Sequence, residues 1–598
     1  MALGAGVNMD ISNTVETIYG TSDTFIEIDL STGNVETVTV TPEDRKLYLG
    51  GKGLALKMLY DRMEPGVDPL SEKNVISLFL GVLLGTGAPC SGRWSGVTKS
   101  PLTGLFTSSS CGGPFGMALK TAGFDGLIIT GKADAPVYIE ITEENVHIRD
   151  GSGLWGKTTS ETHAALDLSE RDGACVIGPA GEHKVLYANI ASGHRFLGRG
   201  GMGAVFGSKN LKAVAARGGI YTITPKRKTK FEQAKKKALS FIKQNEFTSD
   251  HFRNYGTAYN VHICNENGLL PVHNFQGKNH PKADAVSGQR MAEQYQSKPW
   301  TCRPCSILCG HKGTDGSGVE HKIPEYETVG LIGPNLGIFD PDFITEASDL
   351  CGEMGMDTIS TGGTLGYVME AGEKGYLTTS LKFGSTSGIL RQIRSIAHRR
   401  GKGREYADGS KRLAERYGGK EFAIQVKGLE LSAYHPGSAW GQALSYAVAN
   451  RGGCHLSAYP VSLECLYGLM KPLSTRAKPE WVVFFENIYN GINSLHTCAF
   501  TAFAYLMEPA VPKYVPKFLL HLSMTFFPNI SMNMMDWSLY SDFFESVTGV
   551  SCSKKDFIRA GKRIHLLERY MNTREGAAKK DDTLPGRFMT AQPNEEGY

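Results

Sequence analysis

The sequence has no uninterrupted apolar run of the roughly 20 residues that a membrane crossing takes. Its most apolar window, Phe518 to Met535, is broken by His521, Pro528 and Asn529, and it reads as core helix or loop. No basic start followed by an apolar stretch is present, so export by a standard signal is not expected and the cytoplasm is the expected compartment. Charge imbalance is small. A net charge of +4 over 598 residues argues against a nucleic-acid or anionic-membrane partner. Cysteine is sparse, 12 in the whole chain, which excludes a secreted disulfide framework and fits a chain kept reduced. There is no internal repeat and no low-complexity tract. Hydrophobic content of 41% and charged content of 21% describe an ordinary folded chain of several domains.

Glycine is abundant instead, with 71 residues concentrated in the first 220 or so positions and around the cysteine-rich half. This implies tight turns and close backbone approaches to something bound. Residues 24–30 and 35–40 alternate as strands joined by a hairpin turn at Ser31-Thr-Gly-Asn34. Gly50-Gly-Lys-Gly53 opens a helical stretch through Leu59. Further strands are expected at 75–80, 126–130, 137–141, 146–149, 186–190 and 212–216. After Pro225 the pattern turns helical, with helices expected at 228–244, 341–354, 361–374, 388–400, 410–417, 481–492 and 554–572. The fold class is therefore α+β: a polar arm at 1–22, a β-rich domain at 23–217, and two mainly helical domains at 218–427 and 428–598.

The chemistry centres on Cys302-Arg-Pro-Cys305-Ser-Ile-Leu-Cys309. This spacing can place three thiolates around one iron–sulfur cluster, which needs four ligands; Cys498 is a candidate for the fourth. A zinc site that includes His311 and three buried, inert thiols are the alternatives that spacing leaves open. Gly198, Gly200 and Gly203 form a G-x-G-x-x-G. Gly207, Ser208 and Asn210 interrupt any following helix, however, and Ile223 stands where a dinucleotide fold needs an acid. A backbone nest flanked by Arg195 and Arg199, suited to an anion, is the better account. Residues 85–93 and 108–113 are further small-residue loops. Glu325 and Glu327 would share one face of an extended segment and could offer a general base. His455 ends the glycine turn Arg451-Gly-Gly-Cys-His455, and Glu346 and Asp349 read as an acid pair near a helix N-terminus.

Taken jointly, several stretches resemble the aldehyde:ferredoxin oxidoreductase family of tungsten enzymes. They are Gly50-Gly-Lys-Gly53, residues 97–104, Gly198-Arg-Gly-Gly-Met-Gly-Ala-Val205, the three-cysteine motif, Pro324-Glu-Tyr-Glu-Thr328, residues 356–363, Asn450-Arg-Gly-Gly-Cys-His455 and Asp581-Asp-Thr-Leu-Pro585. The resemblance implies a strand-rich base domain that carries two pterins whose sulfurs bind one tungsten (or molybdenum). It implies a [4Fe–4S] cluster on Cys302, Cys305, Cys309 and Cys498. Pterin or phosphate contacts fall on Arg93, Gly112, Arg195, Gly198, Arg199, Met356, Asp357, Asn493 and Thr497, and a magnesium ion would sit near Ser110 and the Phe196 backbone. The proton-handling pair falls on Glu327 and His455.

The chain departs from the family pattern in places. Gly352 and Asn493 stand where the family's D-x-x-G-L-D and D-x-x-G-L-C open with aspartate, and Ser110 replaces an asparagine. Glu346-Ala-Ser-Asp349 lacks the histidine of an E-x-x-H iron site, and no Arg-Gly-Trp segment is found before Tyr598. The expected function is oxidation of an aldehyde to a carboxylic acid, with electrons passed through the cluster to ferredoxin or an iron–sulfur partner subunit. A low-potential reductase of a carboxylic acid or CoA thioester is one alternative. The other is an electron-transfer subunit with a vestigial pterin site.

Overall fold

The computed structural model describes residues 17–507 and 509–589. Of the expected polar arm, residues 1–16 lie outside that range, while Thr17–Tyr19 pairs in parallel with Thr222–Thr224. Residues 24–216 build two six-stranded sheets. One runs in the order Val35–Thr39, Thr24–Asp29, Gly126–Thr130, Ile76–Leu80, Trp94–Lys99, Phe106–Cys111. The hairpin expected at residues 31–34 is there, with Ile26 opposite Thr37. The other runs Arg195–Leu197, Ile190–Ser192, Gly173–Val176, Leu211–Ala216, Val137–Ile141, Val146–Asp150.

Both sheets feed one core that includes Ile26, Leu78, Trp94, Phe115, Ile139, Phe206 and Val214. The outer face of the first sheet is closed by helices Gly51–Arg62 and Lys554–Arg574, through Leu54, Met58, Phe79, Val97, Ile564 and Met571. The C-terminal helix thus returns to roof the N-terminal sheet. The remaining chain is mainly helical around a separate, larger core, so the strand-rich base and helical remainder expected from the sequence are both present.

Three expectations need correction. A helix, Met202–Ser208, does follow the glycine turn. Gly207 makes it possible, since a Cβ there would lie 1.9 Å from the Gly181 carbonyl oxygen; the glycine that looked like an interruption is a close-packing device. The strand expected at 186–190 falls instead at Ile190–Ser192. The window 518–535 is helical, at Lys517–Phe526 and Pro528–Met534, but it is not core. Only Met524, Ser531, Met532 and Met535 point inward, while Phe518 and Met534 are 69% and 78% exposed. No helix among the described residues is long and apolar enough to cross a membrane.

Helix Lys478–Leu495 is the strut that positions the site. It crosses Lys554–Arg574 at near backbone contact. A Cβ on Gly561 would meet the Asn487 carbonyl oxygen at 2.0 Å, and one on Gly491 would meet the Phe557 ring at 2.6 Å. His496 ends the helix in the left-handed region, φ 60°, and turns the chain towards Cys498.

Candidate active site

The three-cysteine motif lies on a loop between paired strands Lys298–Pro299 and His311–Thr314, closed by Trp300 N–H on the Gly310 carbonyl at 2.7 Å. Trp300 is held against the β-rich base. Its ring stacks on His194 at 3.5 Å, and its carbonyl accepts from Arg195 Nη2 at 2.9 Å. Cys498 arrives from the strut, with its N–H on the Cys90 carbonyl at 2.9 Å. As a result Cys302, Cys305, Cys309 and Cys498 line one cavity with Cys90, Arg93, Arg195, Glu325, Glu327 and His455. This cavity encloses about 1110 Å³ of space, part of it open to solvent. Gly112 packs directly against Cys302: a Cβ there would sit 2.4 Å from the Cys302 sulfur.

The thiols fit an anionic cluster. Leu308 N–H donates to Cys305 Sγ at 3.3 Å. Burial raises the Cys309 and Cys498 thiols, Cys498 to about 11, while the Arg93 guanidinium pulls Cys498 the other way. The buried Arg195 and the half-buried Arg93, which line the same cavity as the cysteines, supply the positive charge that thiolates around iron would need. Among the described residues no three His, Cys, Asp or Glu side chains gather closely enough for a single metal ion. His311 instead bonds the Arg253 carbonyl at 2.8 Å, which weakens the zinc alternative.

Glu325 and Glu327 do not share a face. Glu325 caps helix Tyr326–Ile332 in place of the extended segment expected. Its carboxylate pairs with Lys322 and with Arg195 (3.1 Å), and these two cations hold it low. Glu327 turns inward: Oε2 accepts from Ala433 N–H at 2.7 Å, and Oε1 has no hydrogen-bond partner among the described residues. Burial pushes its carboxyl up to about 8. His455 Nε2 lies 3.5 Å from that Oε1, and His455 Nδ1 lies 2.6 Å from Ser432 Oγ. Burial, with Arg199 and Arg451 nearby, lowers His455 to about 3. At neutral pH the pair is therefore a protonated carboxyl beside a neutral imidazole. Glu346 and Asp349 do not pair either, because Asp349 binds His321 at 2.7 Å.

A second cavity, of about 540 Å³ partly open to solvent, lies behind Leu456 and Tyr489, which line both. Its walls are polar: Lys52, Ser108, Ser110, Asn450, Asn490, Asn493 and Glu568. Arg93 reaches across to this side, donating through Nε to Ser110 Oγ at 3.1 Å and through Nη2 to the Ser110 carbonyl at 2.6 Å. Buried acceptors without partners gather here, namely Glu568 Oε1, Asn450 Oδ1 and Asn490 Oδ1. Such atoms are costly unless something occupies them, so this set of acceptors suits a ligand rich in N–H groups.

The other expected contacts are distributed unevenly. Arg199 is turned into the protein, with Nε on Asp357 at 3.3 Å, Nη1 on the Gly453 carbonyl at 2.9 Å and Nη2 on the Glu430 carbonyl. Asp357 also caps helix Thr358–Glu373, so these two side chains are committed to each other and to the backbone. Of the nest's guanidinium donors, therefore, only Arg195 Nε has no partner among the described residues. Gly198 faces open space, the Phe196 ring lies 3.3 Å from a Cβ position on Gly352, Met356 bridges to Ala188, and Thr497 Oγ1 is buried without a partner.

Sequence reasoning missed Cys90, Lys52, Asn490 and Glu568. Cys90 hydrogen-bonds Cys305 inside the cavity, an arrangement that drives the Cys90 thiol up and Cys305 down. Its place in the glycine loop beside Arg93 was the available signal. His496 was missed too. It is buried against Gly51 and Gly81, whose Cβ positions would lie 2.4 and 2.3 Å from its side chain, and it holds Ser95 Oγ at 2.9 Å. That contact explains why Gly51 must be glycine.

Comparison with known proteins agrees with this architecture. A family model described as the N-terminal domain of aldehyde ferredoxin oxidoreductase matches residues 25–218, and one described as its domains 2 and 3 matches residues 233–598. These matches make the chain an oxidoreductase by class. It is 40% identical over 595 residues to the tungsten-containing aldehyde ferredoxin oxidoreductase of Pyrococcus furiosus, covering 97% of this chain and 93% of that one. The protein of the same description from Thermococcus kodakarensis is 38% identical over the same shares. In fold it is similar to the active-site complex BamBC of benzoyl coenzyme A reductase bound to 1,5-dienoyl-CoA, with TM-score 0.79 and 24% identity over 95% of this chain and 91% of that one. The chain belongs to the aldehyde ferredoxin oxidoreductase family, as the motif resemblance implied.

Proposed function

We propose that this chain is a tungsten–pterin oxidoreductase that turns an aldehyde and water into a carboxylic acid, two protons and two electrons. The observation that carries this reading is that Glu327 and His455 line the same cavity as Cys302, Cys305, Cys309 and Cys498. A tungsten (or molybdenum) bis-pterin, when bound, supplies a Lewis acid and a two-electron acceptor. The four cysteines would hold the [4Fe–4S] cluster through which electrons leave singly to a ferredoxin or an iron–sulfur partner subunit. Arg93 and Arg195 would face the phosphates and the cluster, and Ser110 the bridging magnesium.

The chain's own groups handle the protons. Ser432 fixes the His455 ring, so that Nε2 faces Glu327 Oε1. Ala433 N–H fixes the other carboxylate oxygen. In its ionised form Glu327 takes the proton from attacking water or the aldehyde hydrate, while the neutral His455 imidazole beside it orients the substrate. Because the Glu327 carboxyl is raised to about 8, the basic form grows as pH rises, and turnover should rise with it to a plateau above that value. Tyr434 and Tyr459, whose hydroxyls meet at 2.6 Å, wall the pocket where substrate would enter.

The test is viologen reduction by simple aldehydes with anaerobically purified protein, run beside acid-dependent oxidation of reduced viologen. Aldehyde-dependent reduction that is lost in Glu327→Gln, with tungsten and iron retained, supports the proposal. Full activity in that variant removes Glu327 from the reaction. Activity only in the acid-reducing direction would replace the proposal with the reductase reading.

A further inference from the structure

We propose that the polar cavity takes the edge of a flat heterocycle that presents a row of N–H donors, an aminopyrimidinone edge, and that Glu568 supplies the carboxylate receiving it. The inference rests on the pterin reading above for the ligand's identity and goes beyond it in naming the receiving group. Nothing in the sequence pointed to Glu568, because the position that ought to carry an acid on this side, 493, is an asparagine.

The geometry is specific. Glu568 is 3% exposed. Its Oε2 is held by Lys52 Nζ at 2.9 Å and Asn450 Nδ2 at 3.2 Å, while its Oε1 has no partner among the described residues. Asn490 and Asn450 cannot turn donors into the cavity, since Asn490 Nδ2 is bonded to the Glu486 carbonyl at 2.7 Å and Asn450 Nδ2 to the His565 carbonyl at 3.0 Å. Their oxygens are left unpartnered. Glu568, Asn450 and Asn490 line the same cavity, and three acceptors without partners there favour a ligand that presents N–H donors.

The spacing of two of them is rigid. Glu568 and Asn490 stand on the two helices locked together at Gly491 and Gly561. Lys52 holds Glu568 Oε2 at 2.9 Å and so fixes the direction of the oxygen left without a partner among the described residues; hydrogen bonds from an N–H to a carboxylate are roughly twice as strong as those to a neutral acceptor. The carboxylate has, in effect, moved from the end of one helix to the face of its neighbour.

The experiment uses the full chain, expressed and purified anaerobically, as wild type, Glu568→Gln, Asn490→Ala and the pair Asn493→Asp with Glu568→Gln. Released pterin is counted by the fluorescence of its oxidised form, tungsten and iron by elemental analysis. The expected result is a fall of at least twofold in pterin and fivefold in tungsten for Glu568→Gln, with iron unchanged and both restored in the double variant. Because Glu568→Gln also strips Lys52 of its partner, loss of iron there would report misfolding. Asn490→Ala then decides, with a smaller pterin loss at constant iron supporting the site. Wild-type pterin and tungsten in both single variants would overturn the role of Glu568 while leaving the proposed function intact. Wild-type protein with neither pterin nor tungsten would overturn both.

Discussion

The two cavities meet at Leu456 and Tyr489 but are built from opposite materials. On one side are cysteines, Phe500, Phe503, Tyr434 and Tyr459, with Arg93 and Arg195 opposite the thiols. On the other are serines, asparagines, Lys52 and Glu568, with several oxygens left without donors. The first sets four thiols against two arginines, a set of groups that suits a metal cluster. The second holds acceptors without partners among the described residues and suits a ligand that brings N–H donors. In each cavity the groups left unsatisfied are more informative about a ligand than the groups already satisfied. Arg93 lies near Cys498 and Cys302 and donates to Ser110, so one side chain couples the two.

The strongest way to break the contrast is to remove a thiol. Cys498→Ser should lower iron from about four per chain to below one and abolish aldehyde-dependent viologen reduction, while the polar cavity keeps its pterin. Equal loss of pterin and iron would mean that the cavities are not separable. Next in size, Glu327→Gln should cost about 10²–10⁴-fold in kcat with every cofactor in place. A finer test is the pH profile. The wild-type kcat/KM should climb about tenfold per unit below pH 8 and flatten above it, as the raised Glu327 carboxyl ionises, and Glu327→Gln should lose that limb.

Stability carries the same signature. The fold holds a proton on Glu327 that the unfolded chain has released above its ordinary range near 4.5. Wild-type stability relative to Glu327→Gln should therefore decline as pH rises from about 4.5 to about 8, measured by denaturant unfolding. The smallest effect expected is Gly112→Ala. Its Cβ would crowd the Cys302 sulfur, so about 1–3 kcal/mol of destabilisation should accompany faster iron loss on exposure to a chelator. Unchanged chelation kinetics would place Cys302 away from the cluster.

Legibility in the sequence followed the physics of each element. Helices Lys228–Gln244, Pro341–Met354 and Ser410–Tyr417 were readable to the residue because apolar spacing and end signals agree; Asp340 caps a helix that opens on Pro341. Strands Trp94–Lys99 and Phe106–Cys111 were not. The first is buried on both faces and shows no alternation, and the second is largely serine. The outward apolar face of residues 518–534 was misread as core because composition does not reveal which side of a helix is covered. The three-cysteine motif was legible because it is local. The polar cavity was not, since Lys52, Asn450, Asn490 and Glu568 come from four distant segments, and each alone reads as an unremarkable polar residue. Only the packed helix pair shows that their oxygens converge.

The central claim is that one buried pocket joins a four-thiolate iron centre to a proton-holding Glu–His pair beside a heavy-metal pterin. Elemental analysis of anaerobically purified wild-type protein tests it most directly. The account predicts about four irons and one tungsten or molybdenum per chain. Four irons with neither heavy metal would leave an electron-transfer subunit, and protein folded without iron would contradict the account outright.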